Sequence, residues 1–268
     1  MEFIGYIASI LIGVSLGLIG GGGSILTVPL LVYVFKLPPV TAISYSLFIV
    51  GITSLFGAVD NFRKKQANLN LALPLGIVSP ATVFLVRKHL VPAIPENILA
   101  IGDTWITKSM LTMVLFAILM LAASLSMLKK TTIQPTGTTT IHKASDYLLL
   151  GLFGLGIGCV TGFLGAGGGF LIIPALVVLL KLPMKQAIGT SLLIIAINSL
   201  IGFGGDIGHY EIHWRFLLFI TGIATAGIFI GTFMARKIPG QKLKRGFGWF
   251  VLVMGIYIIV QEMITLSQ

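Results

Sequence analysis

Charge is what this chain has least of. Only 10% of its 268 residues are Asp, Glu, Lys or Arg, against about 25% in a soluble domain whose surface must face water. With 56% hydrophobic residues and a mean hydropathy of +1.03 it cannot cover itself with polar side chains, so its outer surface must face lipid. Cysteine is almost absent. The single Cys159 excludes an intramolecular disulfide and a thiolate metal cluster. There is no nucleophile elbow, no dinucleotide fingerprint and no phosphate loop ending in Lys-Ser or Lys-Thr. Catalysis and a cofactor are therefore not expected. The net charge of +10 could suggest a nucleic-acid footprint, but no basic helix face with interleaved aromatics exists. Lys and Arg sit instead in short loops between apolar stretches, where membrane topology needs them. The N-terminus lacks both a basic n-region and a small-x-small cleavage site, and reads as a retained membrane segment.

Long apolar runs are what the chain has in plenty. They fall at about 3–19, 24–35, 40–59, 69–86 and 110–128, then at about 147–164, 169–180, 186–204, 214–235 and 247–265. Most approach the roughly 20 residues that a helix needs to cross a hydrocarbon core. The stretches 24–35 and 169–180 are too short to span comfortably, and each follows a glycine cluster. Thr-rich 131–142, with Pro135 and Gly137, is the one linker-like segment. The expected organisation is a first membrane repeat at 1–128, a cytoplasmic linker at 129–146 and a second membrane repeat at 147–268.

The two halves are related by duplication. A shift of about 145 residues aligns GLIGGGGSILTVPLLVYVFKLP from Gly17 with GFLGAGGGFLIIPALVVLLKLP from Gly162. Between Gly13/Gly158 and Gly57/Gly202, roughly 21 of 45 positions are identical, among them Pro29/Pro174, Lys36/Lys181, Ala42/Ala187 and Ser46/Ser191. Apolar composition alone would not align Gly, Pro and Lys together.

Loop charge decides how the halves face. If each glycine-broken segment crosses once, the 18 basic residues divide 11 against 7 between the two sides. If the chain turns back at the glycines, they divide 13 against 5, with Arg63 to Lys65, Lys129, Lys130, Lys143, Lys181, Lys185 and Arg236 to Arg245 together. The second division is the better positive-inside pattern. It predicts an all-α polytopic protein of two inverted repeats, each a glycine-broken helical hairpin followed by three transmembrane helices. Both termini then lie outside the cytoplasm.

Inverted halves with a broken helix in each are the pattern of many secondary transporters, whose sites form where discontinuous helices expose backbone ends. The candidate binding residues here are Gly20, Gly21, Gly22, Gly23 and Ser24 in the first half, with Gly165, Gly167, Gly168 and Gly169 in the second. Glycine runs let the backbone turn sharply, and the helix that follows aims free N–H groups at the same point. Tight helix packing is the competing explanation, and Gly13-x3-Gly17 and Gly158-x3-Gly162 fit it. Consecutive glycines exceed what such packing needs. Ser46, with Thr190 and Ser191, interrupts an apolar helix at matched positions, and Thr53-Ser54 matches Asn198-Ser199. Hydroxyls in such helices often bond to their own i−4 carbonyls. Asn198 is different, because an amide in lipid needs partners.

Other features have plainer readings. Lys36 and Lys181 suit the C-terminal dipole of the short helices. Asp60 and Asp206, near the ends of corresponding helices, read as interfacial acids, with proton carriage as the alternative. His209, Glu211 and His213 could share a metal on a helix, but the stretch reads better as a loop with interfacial aromatics, and no metal is assigned.

The two glycine motifs, each with its following Pro, Lys-Leu-Pro and Ala-x-x-x-Ser, resemble the signature of the TauE/SafE permeases, the sulfite exporter family. The resemblance covers both halves. It implies a polytopic inner-membrane exporter of sulfur-containing anions such as sulfite or organosulfonates, with another small-anion permease or channel as the alternative. It maps the family's glycine-rich turns onto Gly20 to Ser24 and Gly165 to Gly169. Its Thr-Ser region maps onto Ser44 to Ser46 and Thr190 to Ser191, where the first half departs by carrying Ser44-Tyr45-Ser46. The partners implied are a small anion, the lipid bilayer and a coupling proton or cation, with no nucleic acid.

Overall fold

The computed structural model describes residues 2–64, 69–101, 104–129, 144–164, 168–180, 182–209 and 211–266. The first half comprises α1 (Glu2–Ile19), α2 (Gly22–Pro29), α3 (Pro39–Arg63), α4 (Leu69–Leu85), a three-residue α5 (Val91–Ala93) and α6 (Lys108–Leu128). The second comprises α7 (Ala144–Leu164), α8 (Gly169–Pro174), α9 (Met184–Asp206), α10 (Trp214–Lys237) and α11 (Gly240–Leu266). The frame is helical, as expected of a polytopic membrane protein. Among the described residues, five helices are long and apolar enough to cross a membrane: α3, α6, α9, α10 and α11. One small addition is the antiparallel hairpin of β1 (Asn97–Ile101) and β2 (Thr104–Thr107), between α5 and α6. β-Branched and aromatic residues favour that pairing over helix in Thr104-Trp105-Ile106-Thr107.

The duplication extends to single backbone hydrogen bonds. Pro29 and Pro174 each end an α-helical turn, and both are followed by a π-helical segment, Leu30–Val34 and Ala175–Leu179. Proline lacks a donor and crowds the carbonyl a turn earlier, so the ladder widens past it. Both segments then close alike. Leu37 N donates to Leu31 O, and Leu182 N to Leu176 O, at 3.0 Å in each case. Ala42 N bonds to Pro38 O, and Ala187 N to Pro183 O, at 2.9 Å.

The chain turns back at the first glycine cluster. Gly5, near the start of α1, lies against the ring of Phe35 just past the returning segment, where a Cβ would stand 2.3 Å from the ring. In the second half, Leu150 and Ile157 of α7 line a cavity with Ile172 and Leu180 from the α8 arm. Each hairpin lies along a helix of the other half. α1 runs parallel to α10, with Tyr6 edge-on to Phe219 and Gly13 and Gly17 against Ala224 and Ile228. A Cβ on Gly13 would lie 1.9 Å from Ala224 O, and one on Gly231 would lie 2.1 Å from Val14 O. The Gly-x3-Gly spacing therefore serves close packing, as expected. In the same way α7 runs along α4, with Gly158 against Ser79 and Gly162 against Val86.

Corresponding helices of the two halves run antiparallel where they meet. Leu47 of α3 packs on Gly202 of α9, and Gly57 of α3 on Leu192 of α9. Gly248 and Gly255 of α11 meet Leu128 and Leu121 of α6. α3 and α9 are central and mostly buried. Polarity is arranged inside-out on the outer helices. α10 turns Leu218, Phe219, Phe229, Ile230 and Phe233 outward while burying Thr221, Gly227, Gly231 and Thr232. In water such an apolar surface would associate or aggregate, whereas lipid tails satisfy it.

Candidate functional site

The two glycine turns converge at the centre of the molecule, beside α3 and α9. Gly20 takes a left-handed conformation, φ +79, that L side chains rarely adopt. Its Cα faces α9, where a Cβ would lie 2.9 Å from Ser191 Oγ and 3.1 Å from Ile188 Cα. The second turn contains Gly168, φ +69, whose carbonyl accepts from Leu171 and Ile172 N–H at 3.0 and 2.9 Å. Gly21 and Gly169 touch backbone to backbone. A Cβ on Gly21 would lie 2.1 Å from Gly169 O, and one on Gly169 would lie 2.6 Å from Gly21 Cα.

That contact revises one part of the sequence argument. Consecutive glycines do serve packing here, because two chain reversals meet tip to tip and neither tolerates a side chain. Gly22, Gly23 and Ser24 form the first turn of α2, whose leading N–H groups have no intrahelical acceptor. Gly165 and Gly167 lie outside the described residues.

Several buried polar atoms lack partners among the described residues: Ser46 Oγ, Thr161 Oγ1, Thr53 Oγ1, Ser54 Oγ, Ser199 Oγ and Asn198 Oδ1. Thr161 stands directly behind Gly168. Leaving a buried acceptor or donor unsatisfied costs about 1–3 kcal/mol. Such a set is expected where water or a ligand completes the bonding. Ser191 instead donates to Ile188 O at 2.9 Å, the ordinary helix back-bond. Thr190 is fully buried. The structure thus brings Gly20, Gly21, Gly168, Gly169 and Ser191 together. Asn198 is anchored elsewhere, with its Nδ2 donating to Ser79 Oγ of α4 at 2.7 Å.

The family described as sulfite exporter TauE/SafE matches residues 6–258, nearly the whole chain. The chain belongs to the TauE/SafE family. Two relatives from Xylella fastidiosa strains, each named "Probable membrane transporter protein", are 32% identical over 259 residues, covering 93% of this chain and 91% of theirs. A Bacillus subtilis protein of like name is 27% identical over 237 residues, covering 87% and 90%. No solved structure matches. With its apolar spans, this TauE/SafE chain is a multi-pass membrane transporter.

Two cross-half ion pairs of this transporter went unread in the sequence. Arg87, just past α4, is bidentate to Asp206 at the end of α9, its Nε donating to Oδ1 at 2.8 Å and its Nη2 to Oδ2. Their side chains are 1% and 2% exposed. Asp206 is therefore a buried partner and not an interfacial acid. Asp60, near the end of α3, pairs with Lys64 and, at 3.5 Å, with Arg236 of α10. The signal was available: in the favoured topology Arg87 and Asp206 fall at the same membrane face, each flush against an apolar run. The His209–His213 stretch is not helical at 211–213, so the helical metal spacing does not arise. His213 N–H donates instead to Tyr45 Oη at 2.6 Å.

Proposed function

We propose that this protein is a secondary transporter that exports a small sulfur-containing anion, such as sulfite or an organosulfonate, across the cell inner membrane. The observation that carries the reading is the meeting of two glycine reversals, with Thr161, whose buried hydroxyl has no partner among the described residues, directly behind Gly168. An oxyanion needs several donors. The first-turn N–H groups of α2 with the hydroxyls of Ser24 and Ser46, and those of Thr190 and Ser191 once turned from their present partners, would supply them without an unpaired cation in lipid. Because Gly21 and Gly169 fill the space between the tips, the anion would sit to one side of that contact. Gly20, Gly22, Gly23, Gly165, Gly167 and Gly168 would shape the turns, and Asn198 would hold the α4–α9 contact beside the site.

The architecture proposed is a pair of inverted repeats, supported by the antiparallel run of α3 against α9 and of α6 against α11. Both termini then lie outside the cytoplasm and the 129–146 linker inside it. The sulfur preference rests on the family's name. Backbone and hydroxyl donors would hold any small oxyanion, so the alternative is a permease or channel-like carrier for another organic or inorganic anion. The test is flux into proteoliposomes of sulfite, thiosulfate, sulfoacetate, sulfate, lactate and chloride. Flux confined to the sulfur anions is expected. Flux of lactate or chloride alone would transfer the function to the alternative, and flux of none would remove the anion-transport reading.

A further inference from the structure

The two cross-half ion pairs stand at equivalent places in the duplicated fold and differ in state. Asp60 and Asp206 lie one position apart in the repeat frame, each at the end of a central helix. Each carboxylate meets an arginine from a helix of the opposite half, Arg236 past the middle of α10 and Arg87 just past α4. At the Asp206 mouth the pair is bidentate and sealed from solvent. At the Asp60 mouth Arg236 reaches the carboxylate with one nitrogen at 3.5 Å and is 51% exposed. One pair is buried. The other borders a cleft.

That cleft is lined by Asn61, Lys64, Lys185, Ile188, Arg236 and Gly17. Lys64 and Arg236 share the Asp60 carboxylate beside it, and Lys185 stands close by. Lys185 Nζ donates to Arg236 O at 3.2 Å, which gathers the three. Burial, and then the Arg236 charge, hold the Lys64 ammonium below its ordinary range. Ile188, which lines the cleft, also packs on Gly20, and its carbonyl accepts from Ser191. Solvent-exposed pairs of the Asp60–Arg236 kind are weak and readily exchanged.

We propose that this cleft is the loading site for the transported anion, in which an oxyanion takes the place of the Asp60 carboxylate between Lys64 and Arg236. The buried Arg87–Asp206 pair is the same device in its closed state at the opposite mouth. The inference rests on the anion-transport reading and names where the anion is first held. Asp60 serves as a built-in counter-anion, occupying the cations when the cleft is empty and yielding them to substrate.

The test is binding of sulfoacetate and thiosulfate to the purified full chain, with flux measured in parallel. Asp60→Asn removes the internal competitor and is expected to tighten binding about tenfold. Lys64→Gln with Arg236→Gln is expected to weaken it at least tenfold, with Lys64→Arg retaining it. Thermal melting identifies any variant that fails to fold. In a Cys159→Ser background, sulfoacetate is expected to slow modification of Asn61→Cys by an anionic thiol reagent several-fold. Folded variants that bind and transport like the parent, with unprotected Asn61→Cys, would overturn the loading site while leaving anion transport standing. A parent protein that moves no anion would instead overturn the reading on which it rests.

Discussion

Arg87 and Asp206 meet where neither can reach water. A buried pair gains little over an apolar pair of the same volume, but removing one partner strands the other charge. Asp206→Ala is therefore expected to cost about 3–5 kcal/mol, seen as a large fall in the melting temperature of the detergent-solubilised protein. Asp60→Ala, at the exposed pair, is expected to cost no more than about 1 kcal/mol. Equal losses at the two positions would mean that their difference in burial has no energetic weight. Asp206 also shows what a single sequence leaves out. Its position in Gly204-Gly205-Asp206 suits an interfacial acid, and only the packing of α9 on the end of α4 brings a guanidinium over it. Asn198 was easier to read, because an amide in lipid must find a partner, although nothing in the sequence pointed to Ser79.

The glycine-broken hairpins are the elements on which the fold turns. Loop charge favours their reversal, and in the first of them Gly5 lies against Phe35. Their contact tip to tip was not legible, because a glycine that frees the backbone and one that admits a neighbour look alike in sequence. Gly21→Leu would drive a side chain into the Gly169 carbonyl, so it is expected to abolish flux and lower the melting temperature while membrane insertion persists. Gly222→Ala, with nothing within 4 Å of the added carbon, is expected to leave both unchanged. Normal flux by Gly21→Leu would show that the hairpin tips can part without loss. The short β1–β2 hairpin was missed because an apolar-run search passes over an extended segment lying between two helices.

Orientation belongs to the molecule as a whole. Thirteen of the 18 basic residues share one face if the chain turns back at the glycines, and positive charge is retained on the cytoplasmic side. Single cysteines in a Cys159→Ser background test this. Lys129→Cys is expected to react only with a permeant reagent in intact cells, and Glu96→Cys with an impermeant one. The reverse labelling would keep the fold and invert the molecule, which would place the Asp60 cleft outside the cytoplasm.

The sequence alone determined the membrane setting, the duplication, the place of the helices and the family, because these rest on hydropathy and local motif, which every residue carries with it. Tertiary structure decided which atoms meet: Gly21 with Gly169, Asn198 with Ser79, Arg87 with Asp206. Each of these contacts joins residues more than a hundred positions apart. Distant partners are chosen by how the helices pack, and helix packing depends on the shapes of whole faces, which no local pattern encodes.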